Sequence, residues 1–579
     1  MKTKLFILLG VFLTSCDLEK YPLDAISPET FFNTENDLRL YTNSFYGMLP
    51  DAEGVYNESV DNIIKMDLSD ELRGTRIVPT SDGGWTWENL RNINFFLENS
   101  KTCTDEAART RYDALAHFFR AYFYFDKVKR FGDVPWYTQV INDKDEDLLH
   151  LARTPRADVM KYVLEDIDYA IANLPTLKRV NEITHWTALA LKSRICLYEG
   201  TFRKYHTEFN LPDAEFYLKE AVAASEELMA NSGYKIYSTG NPESDYLNFF
   251  ASYDAIADEV ILAKDYDDDL QVYHNLNYYL MTASYGRPGL EKKLVNSYLM
   301  RDGSRFTDKP GYEKMFFTDE VKNRDPRLSQ TIRTPGYTRI GEDEPLVQEF
   351  GSTVTGYQLI KFVTERKWDT YGKDVNDMPI FRYAEVLLNY AEAKAELGTL
   401  TQSDLDNTTG LIRQRVDMPN INMAKANAQA DPYLEKQYPH VSGANKGVIL
   451  EIRRERRIEL VMESFRWDDM MRWKEGATFT EQFKGMYFPG LGSYDLDQDG
   501  NIDICLYDGE KPSVEGKYVQ YLKLNSDLTL ENGTSGCIII NPHISKKWDE
   551  NKDYLYPIPI QERLLNPNLT QNNGWNDGI

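Results

Sequence analysis

Arg453–Trp473 reads RRERRIELVMESFRWDDMMRW, and its reading decides the fold. Glu455, Glu459 and Glu463 recur every four residues behind Ile452, and Arg456, Arg457, Arg466 and Arg472 stand within a turn or two of them. That interval puts acid and base side by side on a helix. Ile449, Leu460, Met470 and Trp473 add an apolar stripe, and neither Gly nor Pro intervenes before Gly476. The spacing predicts one long helix whose Arg and Glu side chains satisfy one another where it meets the rest of the fold.

Outward from this helix the same periodicity repeats. PIFRYAEVLLNYAEAKAELG, from Pro379, puts Ala384, Leu387, Leu388, Ala391 and Ala395 on one face, and a further helix is expected over Leu405–Val416. Upstream, helices are expected at Glu106–Arg130, Arg156–Asn173, Thr184–Glu199 and Asp213–Ala230. A first helix begins near Glu35, with Leu38, Tyr41, Phe45 and Met48 on one face. Helices of similar length in succession, rich in small residues such as Ala188, Ala190, Ala221 and Ala224, suggest antiparallel pairs stacked like tetratricopeptide units. The expected fold is therefore mainly α. Residues 35–230 and 379–475 form the helical scaffold, and 231–378 and 476–579 are loop-rich, with a few short strands such as Glu259–Ala263 and Gly356–Phe362. No obvious linker divides 35–579, which reads as a single globular domain.

The 66 basic and 91 acidic residues give a formal charge of -25, which opposes the approach of nucleic acid and of strongly anionic ligands. At the N-terminus, Lys2 and Lys4 precede an apolar run from Leu5 to Leu13, too short to span a bilayer, so residues 1–15 read as a signal peptide. Leu13-Thr14-Ser15-Cys16 is similar to a bacterial lipobox, making Cys16 the acylated first residue of the mature chain and 16–34 a lipid-anchored tether. Cys103, Cys196, Cys505 and Cys537 are scattered without metal-ligand spacing, and their pairing is open.

Several stretches beyond the lipobox resemble the SusD/RagB family, surface lipoproteins of Bacteroidetes that capture nutrients. The opening helix matches the family pattern RRERRxELxxExxRxxDxxRW. Ser27-Pro28 leading to Phe31-Phe32 resembles its start, and Asp325-Pro326-Arg327-Leu328 its DPRL element. Tyr554-Leu555-Tyr556-Pro557-Ile558-Pro559 followed by Asn566-Pro567-Asn568-Leu569 and Gly574-Trp575 resembles its ending, with Asn573 where Pro is usual. The resemblance implies a non-catalytic protein at the cell surface. It would bind oligo- or polysaccharide and hand it to a SusC-like, TonB-dependent outer-membrane transporter; RagB-like members imply peptide cargo instead.

A hydrolase is the rival from another class. No GxSxG, HExxH, P-loop or GxGxxG motif occurs, the seven His residues are isolated, and 91 carboxylates single out no catalytic pair. Asp495, Asp497, Asp499, Asn501 and Asp503 carry oxygens at alternate positions around Gly500, the spacing of an abbreviated calcium loop, although Leu506 stands where a full EF-hand needs Glu. No cofactor is required; a structural calcium ion is the one such group this pattern suggests.

A sugar needs an aromatic face for its C–H side and polar groups for its hydroxyls. Aromatics make up 13% of the chain, enough to supply both core and ligand surface. By type and loop placement the candidates are Trp85, Trp87 and Asn89; Tyr278, Tyr279 and Arg287; and Trp368 with Tyr371.

Overall fold

The computed structural model describes residues 31–576 and 578; the expected signal peptide, Cys16 and most of the tether lie outside them. The principal helices are α1 (Glu35–Thr42), α2 (Glu88–Asn99), α3 (Glu106–Phe131), α4 (Arg156–Asn173), α5 (His185–Tyr205), α6 (Ala214–Asn231), α7 (Leu276–Met281), α8 (Tyr383–Leu397), α9 (Lys446–Glu459) and α10 (Arg466–Arg472). Strands are short: β1 (Val260–Lys264), β2 (Met378–Arg382), β3 (Lys484–Phe488), β4 (Gly492–Tyr494), β5 (Ile504–Tyr507), β6 (Gln520–Lys523) and β7 (Gly536–Ile539). The fold is mainly α, as the periodicity requires.

Helices α3 to α6 stack as antiparallel pairs, α3 on α4 and α5 on α6, with α8 packed on α6. Their termini are specified locally. Asp105 accepts the Ala108 N–H at the start of α3, Gly132 ends that helix at φ +72°, and Thr184 with Thr187 forms a capping box on α5. Small residues let the pairs close: a Cβ at Gly200 would meet Leu218 of α6 at 2.8 Å. Buried ion pairs then fix the register, Arg120 on Asp166 between α3 and α4 at 2.6 Å and Arg156 on Glu199 between α4 and α5 at 2.7 Å.

Two apolar cores result, one within the paired helices and one under the loop-rich half. β1, β2 and α8 belong to both: Ile261, Phe381 and Leu387 enter the first, Val260, Met378 and Ala391 the second. β1 and β2 are antiparallel, with Val260 opposite Arg382 and Lys264 opposite Met378. In the C-terminal part β3 pairs with β7, while β4, β5 and β6 form a three-stranded sheet.

Four local expectations are corrected. Arg453–Trp473 is not one helix: α9 stops at Glu459, Met462 and Ser464 take φ of +63° and +59°, and α10 begins at Arg466. The break is held by distant side chains. Glu58 accepts the N–H groups of Met462 (2.6 Å) and Arg466 (3.2 Å), Lys361 donates to Val461 O (2.6 Å), and Tyr246 and Arg382 donate to Glu459 O. These partners supply what the helix ends lose, so the chain turns without Gly or Pro. Second, Met378–Arg382 is strand, because β1 offers it a ladder; α8 starts at Tyr383. Third, Gly356–Phe362 makes only single bridges, through Gln358 and Leu359, since both ends take positive φ, +83° at Gly356 and +71° at Phe362. Fourth, the expected helix over 405–416 is two, Gln402–Asp406 and Thr409–Arg415, parted at Thr408 with ψ of -91°.

Candidate functional site

The centre of the opening stretch's acid–base network, Glu455 and Glu459, is buried and closed. Glu459 pairs with Arg382 (2.8 Å), Arg327 (3.0 Å) and Arg415, and Glu455 with Arg327 (2.6 Å) and Arg413 (2.7 Å). Burial alone would raise the Glu459 carboxyl, but the guanidiniums of Arg415, Arg382 and Arg327 outweigh it and hold it well below the usual carboxylate range. Each carboxylate is consumed by cations of the fold, so this network is a structural centre and offers no exposed group to a ligand.

The nominated aromatic residues separate into distinct places. Tyr278 and Tyr279 lie on α7, and Tyr371 lies on the loop 365–372 that crosses it. Tyr371 is 61% exposed, with its ring 5.5 Å from Tyr278 and 6.4 Å from Tyr279. Tyr285 completes the group, stacked on Tyr279 at 4.1 Å and 13°. The loop is clamped to α7 by buried Asn277, whose amide donates to Thr364 Oγ1 and to Glu365 O, and by Asn275, which accepts from Gly372 N. Arg339 pairs with Asp369 of the same loop at 2.6 Å. The rings are therefore positioned by backbone fixed on both sides, a preformed surface.

Polar groups flank it. Lys65 Nζ sits 3.4 Å from the Tyr285 ring centre and donates to Asn57, and the Tyr285 hydroxyl donates to Glu53. Burial lowers the Lys65 ammonium to about 8, against the attraction of Glu53. Trp368, on the same loop, donates its indole N–H to the Tyr253 hydroxyl at 2.9 Å, with Lys367 over its ring. Beneath the platform Asp374 accepts the Asn277 N–H at 2.5 Å, and its other oxygen has no partner among the described residues. Burial pushes this carboxyl up to about 8, and burial likewise lowers neighbouring His274 to about 4.

Trp85 and Trp87 lie apart, in the core of the paired helices. Trp85 is buried against Phe131 (4.9 Å) and Trp87 (5.3 Å). Half-buried Trp87 walls a cavity of about 410 Å³ with Leu90, Arg91, Tyr137, Leu149 and Leu565, while Asn89 is exposed and outside its lining. Arg287 is also separate from the rings: its guanidinium donates to Phe350 O and Thr353 O. Tyr285, Tyr253, Lys65 and Glu53 were not singled out from sequence. Tyr285 had a signal, falling in the same aromatic stretch as Tyr279; Glu53 and Lys65 had none.

The acidic loop joins β4 to β5. Asp495, Asp497 and Asp503 bring carboxylate oxygens within 4.8 Å of one another, a set able to hold a hard cation. Asp499 and Asn501 instead bond to each other at 2.9 Å. Burial, with Asp497, Asp495 and Asp499 nearby, raises Asp503 to about 6. Among the described residues Cys103, Cys196, Cys505 and Cys537 are buried free thiols, and no helix is long and apolar enough to cross a membrane.

Comparison with known proteins agrees with this architecture. The profile of the SusD family matches residues 258–575, more than half of the chain, and a second profile, described as "starch-binding associating with outer membrane", matches 85–197. SusD-like protein P2 of Formosa agariphila is 23% identical over 98% of both chains, and SusD-like protein P38 of the same organism is 23% identical over 83% of this chain and 92% of its own. A solved SusD-like carbohydrate binding protein from Bacteroides fragilis superposes with a TM-score of 0.68 at 22% identity, covering 93% of this chain and all of its own. A second SusD-like structure from that organism gives the same TM-score over 96% of the chain. The chain belongs to the SusD family.

Proposed function

We propose that this chain is a non-catalytic binding protein for oligo- or polysaccharide, with the ligand resting on Tyr278, Tyr279 and Tyr371, while Tyr285, covered by Tyr279 on one face and Lys65 on the other, backs Tyr279 from behind. The observation that carries the reading is the clamped loop 365–372, which stands an exposed Tyr371 against Tyr278 and Tyr279 beside amide, ammonium and carboxylate groups. Such a surface suits an alternately apolar and hydroxylated ligand. The description "starch-binding associating with outer membrane" and the neighbour named for carbohydrate binding support it. The protein would be anchored at the outer membrane through acylated Cys16 and deliver its ligand to a SusC-like, TonB-dependent transporter. Asp495, Asp497 and Asp503 would hold a calcium ion that stiffens the β4–β5 loop.

The cavity beside Trp87 favours a second location, since its volume falls in the range of small-molecule sites. Affinity electrophoresis against a polysaccharide panel, run with Tyr371→Ala and Trp87→Ala, tests the proposal. Loss of retardation in Tyr371→Ala supports the platform, and loss only in Trp87→Ala moves the site to the cavity. Pull-down of peptides with no polysaccharide bound replaces the cargo by peptide, and release of reducing sugar from a bound polymer replaces the binding protein by a hydrolase. Cys16→Ala should leave the membrane fraction.

A further inference from the structure

The tyrosine platform ends at a seam between two chain segments. Lys65 covers the Tyr285 ring, and the next residue, Met66, donates its N–H to Gly286 O at 2.8 Å. Immediately beyond the seam is a groove of about 270 Å³. Leu528, Ile538 and Ile540 give it apolar walls, while Arg287, Asn541 and His543 carry polar groups to it. Arg287 Nε and Asn541 Nδ2 are buried with no acceptor among the described residues. Unpartnered donors in a folded chain cost stability unless something accepts from them. Met66, at the lip, is 48% exposed, an apolar residue left beside a polar rim.

The same combination of apolar wall and hydrogen-bonding rim characterises the platform itself, and the chain joins the two directly: Lys65 of the platform precedes Met66 of the groove, and Tyr285 of the platform lies two residues before Arg287 of the groove. We propose that this groove is a second subsite for the carbohydrate held on the tyrosine platform. The ligand is then a chain of several sugars that crosses the Lys65–Met66 seam and presents hydroxyl, ring or carboxylate oxygens on the Arg287 and Asn541 side. The inference rests on the glycan reading of the platform and adds to it a requirement for ligand length. Arg287 also positions the loop at Phe350 and Thr353, so its removal would mix folding with binding. Two other changes avoid this. Ser526→Trp fills the groove from an exposed position, and Asn541→Gly removes the amide at a backbone φ of +50° that Gly adopts freely.

Calorimetric titration with malto-, cello- and xylo-oligosaccharides and with oligogalacturonides, comparing the disaccharide with the octasaccharide of each series, tests the inference. In the series that binds, the long member should bind about tenfold more tightly or better, one added subsite's worth of contact. Ser526→Trp and Asn541→Gly should bring the long ligand down to the affinity of the short one and leave the short one unchanged, while Tyr371→Ala weakens both. Equal affinity for long and short ligands, with dependence on Tyr371 retained, overturns the second subsite and leaves the platform standing. So does full length dependence in both groove variants. Binding of no member of any series, or binding indifferent to Tyr371, overturns the platform and the groove together.

Discussion

Arg382 holds Glu459 twice, through its carboxylate at 2.8 Å and through its backbone carbonyl at 2.9 Å. The carbonyl is the one with which α9 ends, so one guanidinium both shares in neutralising the buried acid, with Arg415 and Arg327, and, with the Tyr246 hydroxyl, caps the helix that carries it. Arg327 of the Asp325-Pro326-Arg327-Leu328 element reaches the same carboxylate. Segments more than a hundred residues apart in sequence therefore meet at one side chain. Glu459→Ala removes the carboxylate shared by three buried guanidiniums, leaving Arg327 to Asp325 and Glu455, Arg382 to Glu259 and Glu463, and Arg415 to Glu259, and should cost about 3–5 kcal/mol, read as a lowered denaturation midpoint. Glycan affinity of the folded fraction should be unchanged; a selective loss of binding without destabilisation would make the network part of the site.

Trp85 and Tyr371 should separate stability from binding. Trp85 is packed on Phe131 and Trp87, so Trp85→Ala is expected to destabilise by about 3–5 kcal/mol. Tyr371 is exposed, and Tyr371→Ala should leave the melting temperature within about a degree, since surface changes stay within roughly 0.5 kcal/mol. Thermal melts of the two variants decide this.

The floor of the platform should titrate. Asp374, raised to about 8 by burial, favours its protonated form in the folded chain. Its contribution is fully present below the unfolded value of about 4 and is lost as pH rises through 8. Asp377 and Glu58, each raised to about 7 by burial, slope the same way; His274, lowered to about 4, slopes the opposite way but only below about 6.5. Between pH 6.5 and 8 wild type should therefore lose stability faster than Asp374→Asn, by at most about 1.4 kcal/mol per pH unit. Parallel stability curves for the two proteins would refute this assignment.

Calcium should act on the β4–β5 loop. The ion would favour the ionised form of Asp503, which burial and, to a lesser degree, the neighbouring carboxylates disfavour, so binding near pH 6 should release protons and raise the melting temperature. Asp497→Asn with Asp503→Asn should abolish both effects. Calorimetry in buffers of different ionisation enthalpy measures the proton release, and identical melts with calcium or chelator would remove the ion.

The helices of the scaffold were legible because their signals are local. Asp105, Gly132 and the Thr184 box mark ends within a turn of the residues they cap, and the starts of α3 and α4 fell where the periodicity put them. The break after Glu459 was not legible, because its partners come from Glu58, Tyr246, Lys361 and Arg382, none of them neighbours in sequence. Met378–Arg382 misled for the same reason: its ladder is with Val260–Lys264. Of the proposed platform, Tyr278, Tyr279 and Tyr371 carry a residue-type signal within a loop-rich stretch, although Tyr278 and Tyr279 fall on the short helix α7. The approach of Lys65 and Glu53 to Tyr285 is tertiary and leaves no trace in the text around them.

The central claim is that carbohydrate binds on the tyrosine platform. Its most direct measurement is affinity electrophoresis of wild type, Tyr278→Ala and Tyr371→Ala through gels containing each polysaccharide of a neutral and acidic panel. The account predicts that at least one polymer retards wild type and that both variants are markedly less retarded in it, each having lost a ring contact of roughly 1 kcal/mol or more, about a fivefold drop in affinity or greater. Unaltered retardation of both variants, or passage of wild type through every gel unretarded, would contradict it.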